Sequence, residues 1–319
     1  MRYLIFIFTI FLPISFTYAQ SNFSVNQQTN LSITLKDEYT KPFSKNTATV
    51  DDYSVPLNIT GISWKIDGEA VPEANNQKTV DFTTKDIGQP TTIEVSAKTF
   101  EGIIFSAKRV IRPFYLDIVI EPQTKTPSFY QGRAIPTLES TINLTALINS
   151  SLSDSENYIY NWSLNDTVLA GGSLRGNYKV ALKVPPGYQN VVTVTITNLA
   201  GELVAKRTIP LVYGDPKMLF YETNTLYGVK HIPIDRTLNL IGNSVSVQAE
   251  PYFVDINTYN RPDVLEWKID GQRSPSAGNN PYEVTLARQG SSGVSNVSFR
   301  INSTTNFLQG AKGSFKVNF

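Results

Sequence analysis

The chain has few residues that could do chemistry. It contains no cysteine and a single histidine, His231. Without cysteine there can be no thiol chemistry, no cysteine-ligated metal and no lipidated N-terminal cysteine. A lone histidine needs partners to ligate a metal or to act as a base, and the sequence has neither an HExxH motif nor a Gly-x-Ser-x-Gly elbow. We therefore interpret His231 as a surface or turn residue.

Paired carboxylates are the remaining route to catalysis, because two of them can hydrolyse a glycosidic bond without a histidine. The closest pairs in the sequence are Asp51 with Asp52, Asp154 with Glu156, and Asp215 with Glu222. All lie in turn or linker contexts, where carboxylates are usually solvated. Calcium between repeats would need at least three converging oxygens, of which two adjacent acids supply only a part, so the sequence leaves calcium between repeats open. The sequence thus predicts no catalytic residue, no cofactor and no metal ligand.

The chain contains a repeated unit that is marked by its tryptophans. The segment from Trp64 to Gly68, Trp-Lys-Ile-Asp-Gly, recurs from Trp267 to Gly271, and a degenerate copy, Trp-Ser-Leu-Asn-Asp, begins at Trp162. These are the only tryptophans, and they are 98 and 105 residues apart. Apolar and polar residues alternate with period two around each of them, and no sustained helical period occurs. The sequence predicts an all-β protein with three copies of one unit.

Each tryptophan lies in the middle of an alternating strand and is predicted to fill the interior of a two-sheet unit. A tryptophan that stacks on a sugar is the alternative, which the regular repetition disfavours. The predicted core residues are Trp64, Trp162 and Trp267. The residues that follow tolerate positive φ and predict tight hairpin turns. The predicted turn residues are Asp67, Gly68, Asn165, Asp166, Asp270 and Gly271.

The copies differ upstream of the tryptophan strand. The first carries an insertion from Lys36 to about Thr60, whereas the second and third share an opening segment. In the second copy this segment runs from Tyr130 to Pro136 and resembles the segment from Tyr227 to Pro233 in the third. Aromatic residues near these segments could form a surface patch that binds a ligand, and they are Phe129, Tyr130, Tyr252, Phe253 and Tyr259.

A Trp-x-(Ile/Leu)-(Asp/Asn)-Gly hairpin inside a repeat of about 100 residues resembles the immunoglobulin-like and PKD-like modules of bacterial surface and secreted proteins. The resemblance covers nearly all of the chain after its N-terminal segment and implies three tandem antiparallel β-sandwiches in an elongated array. Such modules serve as spacers, adhesin stalks and ligand-binding platforms. No catalytic residue comes with the resemblance.

The N-terminal segment predicts export. One charge, Arg2, precedes an apolar run from Tyr3 to Phe16, and the small-x-small triplet that follows ends at Ala19. This pattern is typical of a cleaved signal peptide. The run is too short to span a bilayer comfortably, although an uncleaved N-terminal anchor is the alternative. We expect a signal peptide at 1–19, modules at 22–112, 113–213 and 214–319, and an extracellular, cell-surface or periplasmic location.

The overall charge argues against some partners. The 28 basic and 27 acidic residues give a net charge of +1, which provides no long-range attraction to nucleic acid. We expect another envelope protein or a surface glycan as partner, and no membrane span in the mature chain. The favoured hypothesis is a non-enzymatic adhesive, scaffolding or spacer protein. A carbohydrate-binding protein that uses surface aromatics is the alternative, and a two-carboxylate hydrolase is the least favoured.

Overall fold

The computed structural model describes residues 31–52, 59–148, 152–187, 189–288, 290 and 292–319. The predicted signal peptide and the start of the predicted first module lie outside these residues. The described chain forms two compact units. One takes 31–36, 47–52, 59–80 and 92–109, and the other takes 37–46, 81–91 and the described residues from 110 onward.

The first repeat folds into two sheets, of strand order β1-β2-β5 and β4-β3-β6-β7. Strand β2 lies within the stretch that the sequence indicated as an insertion between Lys36 and Thr60. It pairs antiparallel with β1. The expectation that Asp51 and Asp52 lie in a turn or linker was therefore wrong, because both belong to β2. The strands are β1 (Leu31–Leu35), β2 (Lys45–Asp52), β3 (Ile59–Ile66), β4 (Glu69–Ala70), β5 (Thr79–Thr83), β6 (Thr91–Thr99) and β7 (Ile104–Ile111).

The second repeat also forms two sheets, of order β12-β9-β8 and β11-β10-β13-β14. Their pairings are antiparallel. A short 3₁₀ helix at Leu152–Asn157 precedes the tryptophan strand. The strands are β8 (Leu116–Pro122), β9 (Thr141–Ile148), β10 (Ile159–Leu164), β11 (Thr167–Arg175), β12 (Lys179–Lys183), β13 (Val191–Thr197) and β14 (Leu203–Pro210).

The third repeat has a four-stranded sheet, β16-β15-β18-β21, and a five-stranded sheet, β17-β23-β22-β19-β20. The pair β17–β23 is parallel, and the other pairs are antiparallel. A single-turn helix, α1 (Ile256–Asn260), follows β18. The strands are β15 (Lys217–Asn224), β16 (Gly228–Pro233), β17 (Thr237–Asn239), β18 (Ser244–Tyr252), β19 (Val264–Ile269), β20 (Gln272–Ser274), β21 (Glu283–Ala287), β22 (Val294–Asn302) and β23 (Gly310–Asn318).

The cores follow directly from the alternation in sequence. On β9 the buried residues are every second one, and the buried residues of β22 in the third repeat also alternate. On β13 the apolar residues Val192, Val194 and Ile196 alternate, and Thr193 between them is buried as well. Side chains on one face of a strand point into the sandwich while their neighbours meet solvent. The predicted all-β class with antiparallel sandwich sheets is confirmed. The fully buried members of the second core are Ile142, Leu144, Ala146, Tyr160, Val184, Val192, Val194 and Ile196.

Candidate functional site

The three tryptophans lie inside the sandwiches. Trp64 and Trp162 are 1% exposed and Trp267 is 2% exposed. Each indole N–H donates to a backbone carbonyl 13 to 15 residues further along the chain, at 2.9, 2.9 and 3.2 Å respectively. Burial and a satisfied N–H leave no indole face for stacking on a sugar.

The residues after each tryptophan form two-residue hairpin turns. Positive φ at both central positions is the geometry of a type I′ turn, whose twist matches that of the flanking strands. The φ values are 52° and 87° at Asp67 and Gly68, 49° and 63° at Asn165 and Asp166, and 49° and 83° at Asp270 and Gly271.

The first residue of each turn also binds the hairpin to the neighbouring strand of its sheet, which is β6, β13 or β22. Its side-chain Oδ1 accepts a hydrogen bond from a backbone N–H, while its own N–H donates to a nearby carbonyl. The Oδ1 distances are 2.9 Å from Asp67 to Thr92, 2.9 Å from Asn165 to Val191, and 2.7 Å from Asp270 to Asn296. These polar side chains are used for structure in all three repeats.

The acidic pairs do not form a site among the described side chains. Asp51 lies on β2, and its Oδ2 accepts from the Thr34 hydroxyl at 2.6 Å. Glu222 pairs with Lys230 at 3.2 Å, and Asp215 is exposed. The side chains of Asp52 and Asp154 lie outside the described residues. Within the described ranges, no group of three or more His, Asp and Glu residues gathers as a metal site.

His231 lies on the exposed strand β16, where its ring stacks on that of Phe129. The ring centroids are 4.4 Å apart with an interplanar angle of 17°. Phe129 immediately precedes the opening segment of the second repeat, so the histidine is a contact between repeats. The contact of His231 in the described chain is thus with an aromatic ring and not with an acid or base.

The aromatic residues do meet, but the expectation that they form a surface patch was wrong for two of them. Tyr252 and Phe253 are each 6% exposed, because the opening segment of the second repeat covers them. The Tyr130 ring lies edge-on to both, at 5.4 and 5.8 Å, and Phe129 lies edge-on to Tyr221 at 5.2 Å. The cluster is a small second core on the outer face of the four-stranded sheet.

This cluster belongs to a larger contact between the second and third repeats. We call it the joint and define it as residues 123–141 against Tyr221, residues 252–256 and residues 308–309. Its backbone forms a short antiparallel ladder. The Lys125 N–H donates to the Val254 carbonyl and the Phe253 N–H donates to the Lys125 carbonyl, both at 2.7 Å, and the Ile256 N–H donates to the Gln123 carbonyl at 2.9 Å.

Gln309 and Thr137 lie at the centre of the joint, and both are fully buried. The Gln309 Oε1 accepts from the Asp255 N–H at 2.7 Å. Its Nε2 donates to the Thr137 Oγ1 at 3.0 Å and to the Leu138 carbonyl. The Thr137 hydroxyl in turn donates to the Phe253 carbonyl at 2.9 Å. The Gln309 amide and the Thr137 hydroxyl thus connect the two repeats and are also hydrogen-bonded to each other.

Asp255, which is 3% exposed, also belongs to this network of hydrogen bonds. Its Oδ1 accepts from the Asn257 N–H at 2.9 Å and caps α1, and its Oδ2 accepts from the Thr141 N–H at 2.8 Å. The carboxylate therefore binds the start of β9 in the second repeat to the helix of the third. At the edge of the joint, the Glu139 Oε2 accepts from the Leu308 N–H at 2.8 Å.

Beside the joint lies a buried carboxylate, Glu250, on the outer face of β18. It is 5% exposed, and Gln248 donates to its Oε1 at 2.6 Å. Its Oε2 has no hydrogen-bond partner among the described residues. Burial raises the pKa of Glu250, and the charge of Lys125 and the hydrogen bond from Gln248 only partly oppose this. Glu250 thus carries an electrostatic cost at neutral pH.

Sequence reasoning did not identify Thr137, Asp255 or Gln309. The nearest signal was the shared opening segment, which ends one residue before Thr137. Asp255 precedes the short helix as an N-cap residue would, a pattern that is visible in the sequence. Nothing around Gln309 indicates a buried amide.

No known family matches the chain, and no curated protein matches it. Among solved structures, the chain is similar to the central fibronectin-III array of RIM-binding protein, with a TM-score of 0.29, 14% identity, and coverage of 90% of this chain and 95% of that chain. It is also similar to fibronectin(III)-like modules of Clostridium thermocellum CbhA, with a TM-score of 0.27, 9% identity, and coverage of 56% of this chain and 92% of that chain. A third similar structure is that of immunoglobulin domains 1–4 of Sidekick-1, with a TM-score of 0.21, 12% identity, and coverage of 91% of this chain and 74% of that chain. Across the described ranges, no helix is both long and apolar enough to cross a membrane.

Proposed function

We propose that the protein is an exported, non-enzymatic scaffold in which the second and third repeats act as one rigid body. The observation that carries this proposal is the joint, with two fully buried polar side chains, Thr137 and Gln309, hydrogen-bonded across it. Two modules that only needed to be tethered would require no more than a short linker.

The joint favours rigidity for two physical reasons. Hydrogen bonds are directional, so a change in the angle between the repeats would break several of them together. Each buried donor or acceptor left without a partner then costs about 1–3 kcal/mol. The aromatic cluster of the joint adds apolar area that sliding would expose to water.

The non-enzymatic part of the proposal is supported by how the reactive groups are used. Asp67, Asn165 and Asp270 hold turns, Asp255 caps a helix and binds β9, and His231 stacks on Phe129. A carboxyl that acts as a general acid or base needs a pKa raised toward neutral pH and must face a substrate cavity. The pKa of Glu250 is raised, but Glu250 is 5% exposed and lies beside the joint.

Export is supported by the sequence of residues 1–19. Expression in a bacterial host, followed by fractionation and N-terminal sequencing, tests it. We expect the mature chain outside the cytoplasm with Gln20 at its N-terminus. Retention of the full-length chain in the cytoplasm would contradict this part of the proposal.

Rigidity can be tested with spin labels, because a chain without cysteine accepts two unique labels. We suggest Lys206→Cys in the second repeat and Ser244→Cys in the third, both exposed. The matched control is Thr167→Cys with Lys206→Cys, which lie in one sheet. We expect pulsed dipolar spectroscopy to give an inter-repeat distance distribution as narrow as that of the control. A broad or multi-peaked distribution would overturn the rigid-body proposal.

A further inference from the structure

The outer face of the five-stranded sheet carries a concentration of positive charge. We call it the basic face and define it by Lys268, Arg273, Arg300, Lys312 and Lys316. Across the strands, Lys268 is paired directly with Arg273, and Arg300 directly with Lys312. Residues paired in this way share a face, and like charges opposite each other destabilise a sheet. The arrangement therefore needs a compensating anion.

A single carboxylate organises the cations. The Glu266 side chain is 9% exposed and forms ion pairs with Lys268 at 3.3 Å, Arg273 at 3.0 Å and Arg300 at 3.0 Å. Burial acts to raise the pKa of Glu266, but the hydrogen bond from Lys268 and the three cations outweigh it and keep the pKa below its ordinary value. Glu266 is therefore ionised at neutral pH, and it leaves the basic face with five cations and one anion.

Two depressions border the basic face. The larger, of about 470 Å³, is lined by three of its cations, by Glu266 and by neutral hydrogen-bonding side chains. The smaller, of about 360 Å³, is lined by Arg273 with Glu266 and Asp263. Such volumes are in the range that small ligands occupy. The cations remain accessible, with side-chain exposures of 40% for Lys268 and 50% for Arg300. The neutral side chains in the larger depression are Asn296, Ser298 and Ser314.

We propose that the basic face binds an acidic glycan, with its carboxylate or sulfate groups on Lys268, Arg300 and Lys312 and its hydroxyls on Asn296, Ser298 and Ser314. Charge-assisted hydrogen bonds to Arg and Lys are the strong contacts available to such anions. Amide and hydroxyl side chains between the cations match the hydroxyls of a sugar ring.

The same observations favour a glycan over other polyanions. Nucleic acid single strands bind through exposed aromatic rings on which bases stack, but the one aromatic residue of the larger depression, Phe299, is 1% exposed and belongs to the core. An anionic membrane surface would be met by exposed apolar side chains beside the cations. The cations of the basic face are instead interleaved with hydroxyl and amide groups.

The inference goes beyond the proposed scaffold role, because the basic face lies within one sheet and would bind whether or not the joint is rigid. A failure of glycan binding and a broad inter-repeat distance distribution are therefore separate results.

Calorimetric titration of the mature chain tests the inference. The probes are oligogalacturonate, which carries carboxylates, and a chondroitin sulfate oligosaccharide, which also carries sulfates. A neutral cello-oligosaccharide, single-stranded oligo-dT and phosphatidylglycerol vesicles are the comparison probes. We expect one or both acidic glycans to bind, with affinity that falls as salt rises, and the comparison probes to bind at least about tenfold more weakly.

The variant Lys268→Gln/Arg300→Gln/Lys312→Gln removes three cations of the basic face. The matched control, Lys98→Gln/Lys206→Gln/Lys217→Gln, removes three exposed charges elsewhere. Since an exposed ion pair is worth up to about fivefold in affinity, the loss of three gives about 100-fold weaker glycan binding for the first variant, and we expect less than about threefold for the control. Thermal unfolding of both variants checks that they are folded.

Three results would overturn the inference. The first is no binding of either acidic glycan, and the second is equal loss of binding in the two variants. The third is stronger binding of oligo-dT or vesicles than of the glycans, which would assign the basic face to another class of partner.

Discussion

The joint makes a quantitative prediction at Gln309. The substitution Gln309→Ala removes the amide that accepts from the Asp255 N–H and donates to the Leu138 carbonyl and the Thr137 hydroxyl. The backbone groups of Asp255 and Leu138 then lose a partner inside the joint. At about 1–3 kcal/mol for each unsatisfied buried group, and with a small cavity left by the lost atoms, we expect destabilisation by about 3–5 kcal/mol.

This loss is large against the ordinary stability of a domain, about 5–15 kcal/mol. For a cooperative body of about 200 residues, it corresponds to a fall in the midpoint of thermal unfolding of roughly 10 °C. Scanning calorimetry of the full chain measures it. Hydrogen exchange adds a local readout, because the Asp255 and Thr141 amides should lose protection before amides in the middle of β9.

The matched control is Gln131→Ala, an exposed glutamine in the opening segment of the second repeat. Surface substitutions of this kind usually change stability by less than about 0.5 kcal/mol. If Gln309→Ala unfolded like the control, with the Asp255 amide still protected, the reasoning that Gln309 holds the joint would be refuted.

Three further substitutions test other parts of the structure. We expect Trp64→Ala to lower the free energy of unfolding by about 3–5 kcal/mol, because it leaves a cavity where a buried indole was. Urea unfolding of the first repeat measures this, and a loss below about 1 kcal/mol would contradict a core role. We expect Asp270→Ala to cost about 1–3 kcal/mol, since alanine disfavours φ of 49° and cannot accept from the Asn296 N–H, whereas Asp270→Asn should cost less than half of that. Glu250→Gln should stabilise the protein at pH 8 and have little effect at pH 4, as measured by urea unfolding at both values; equal effects at the two pH values would contradict a raised carboxyl pKa.

The sign of the Glu250 effect follows from proton linkage. Its pKa is raised in the folded state, so between the unfolded and folded pKa values the folded protein keeps a proton that the unfolded chain has released. The free energy of unfolding therefore falls as pH rises through this window. The penalty is complete above the folded pKa and absent below the unfolded one. A neutral glutamine removes the penalty where it exists, at neutral and alkaline pH.

The parts of the fold that sequence predicts are local. Trp64 and Gly68 are four residues apart, and the strand period, the turn chemistry and the interior position of the indole all follow from residues within one hairpin. Repetition strengthened the prediction, because three copies with one pattern are difficult to explain by chance.

The joint and the basic face depend instead on distant residues. Thr137 and Gln309 are 172 residues apart, and neither has a neighbour in sequence that indicates a buried partner. Alternation along β22 places Arg300 on the outer face, but the strand order that brings Lys312 beside it cannot be read from the period. The burial of Tyr252 also depends on distant residues, because the segment that covers it belongs to the second repeat. The sequence therefore predicted Tyr252 at the surface.

The polar side chains at the centre of the joint fix the angle between the second and third repeats, which apolar side chains would do less well. Apolar side chains can repack at several angles with similar burial, since the hydrophobic effect is not directional. Gln309, Thr137 and Asp255 lose their partners at any other angle, and each loss is expensive in a buried site. Polar contacts of this kind set the angle between the repeats more sharply than they add stability. The polar contacts of the joint would thereby hold the basic face in one direction relative to the second repeat.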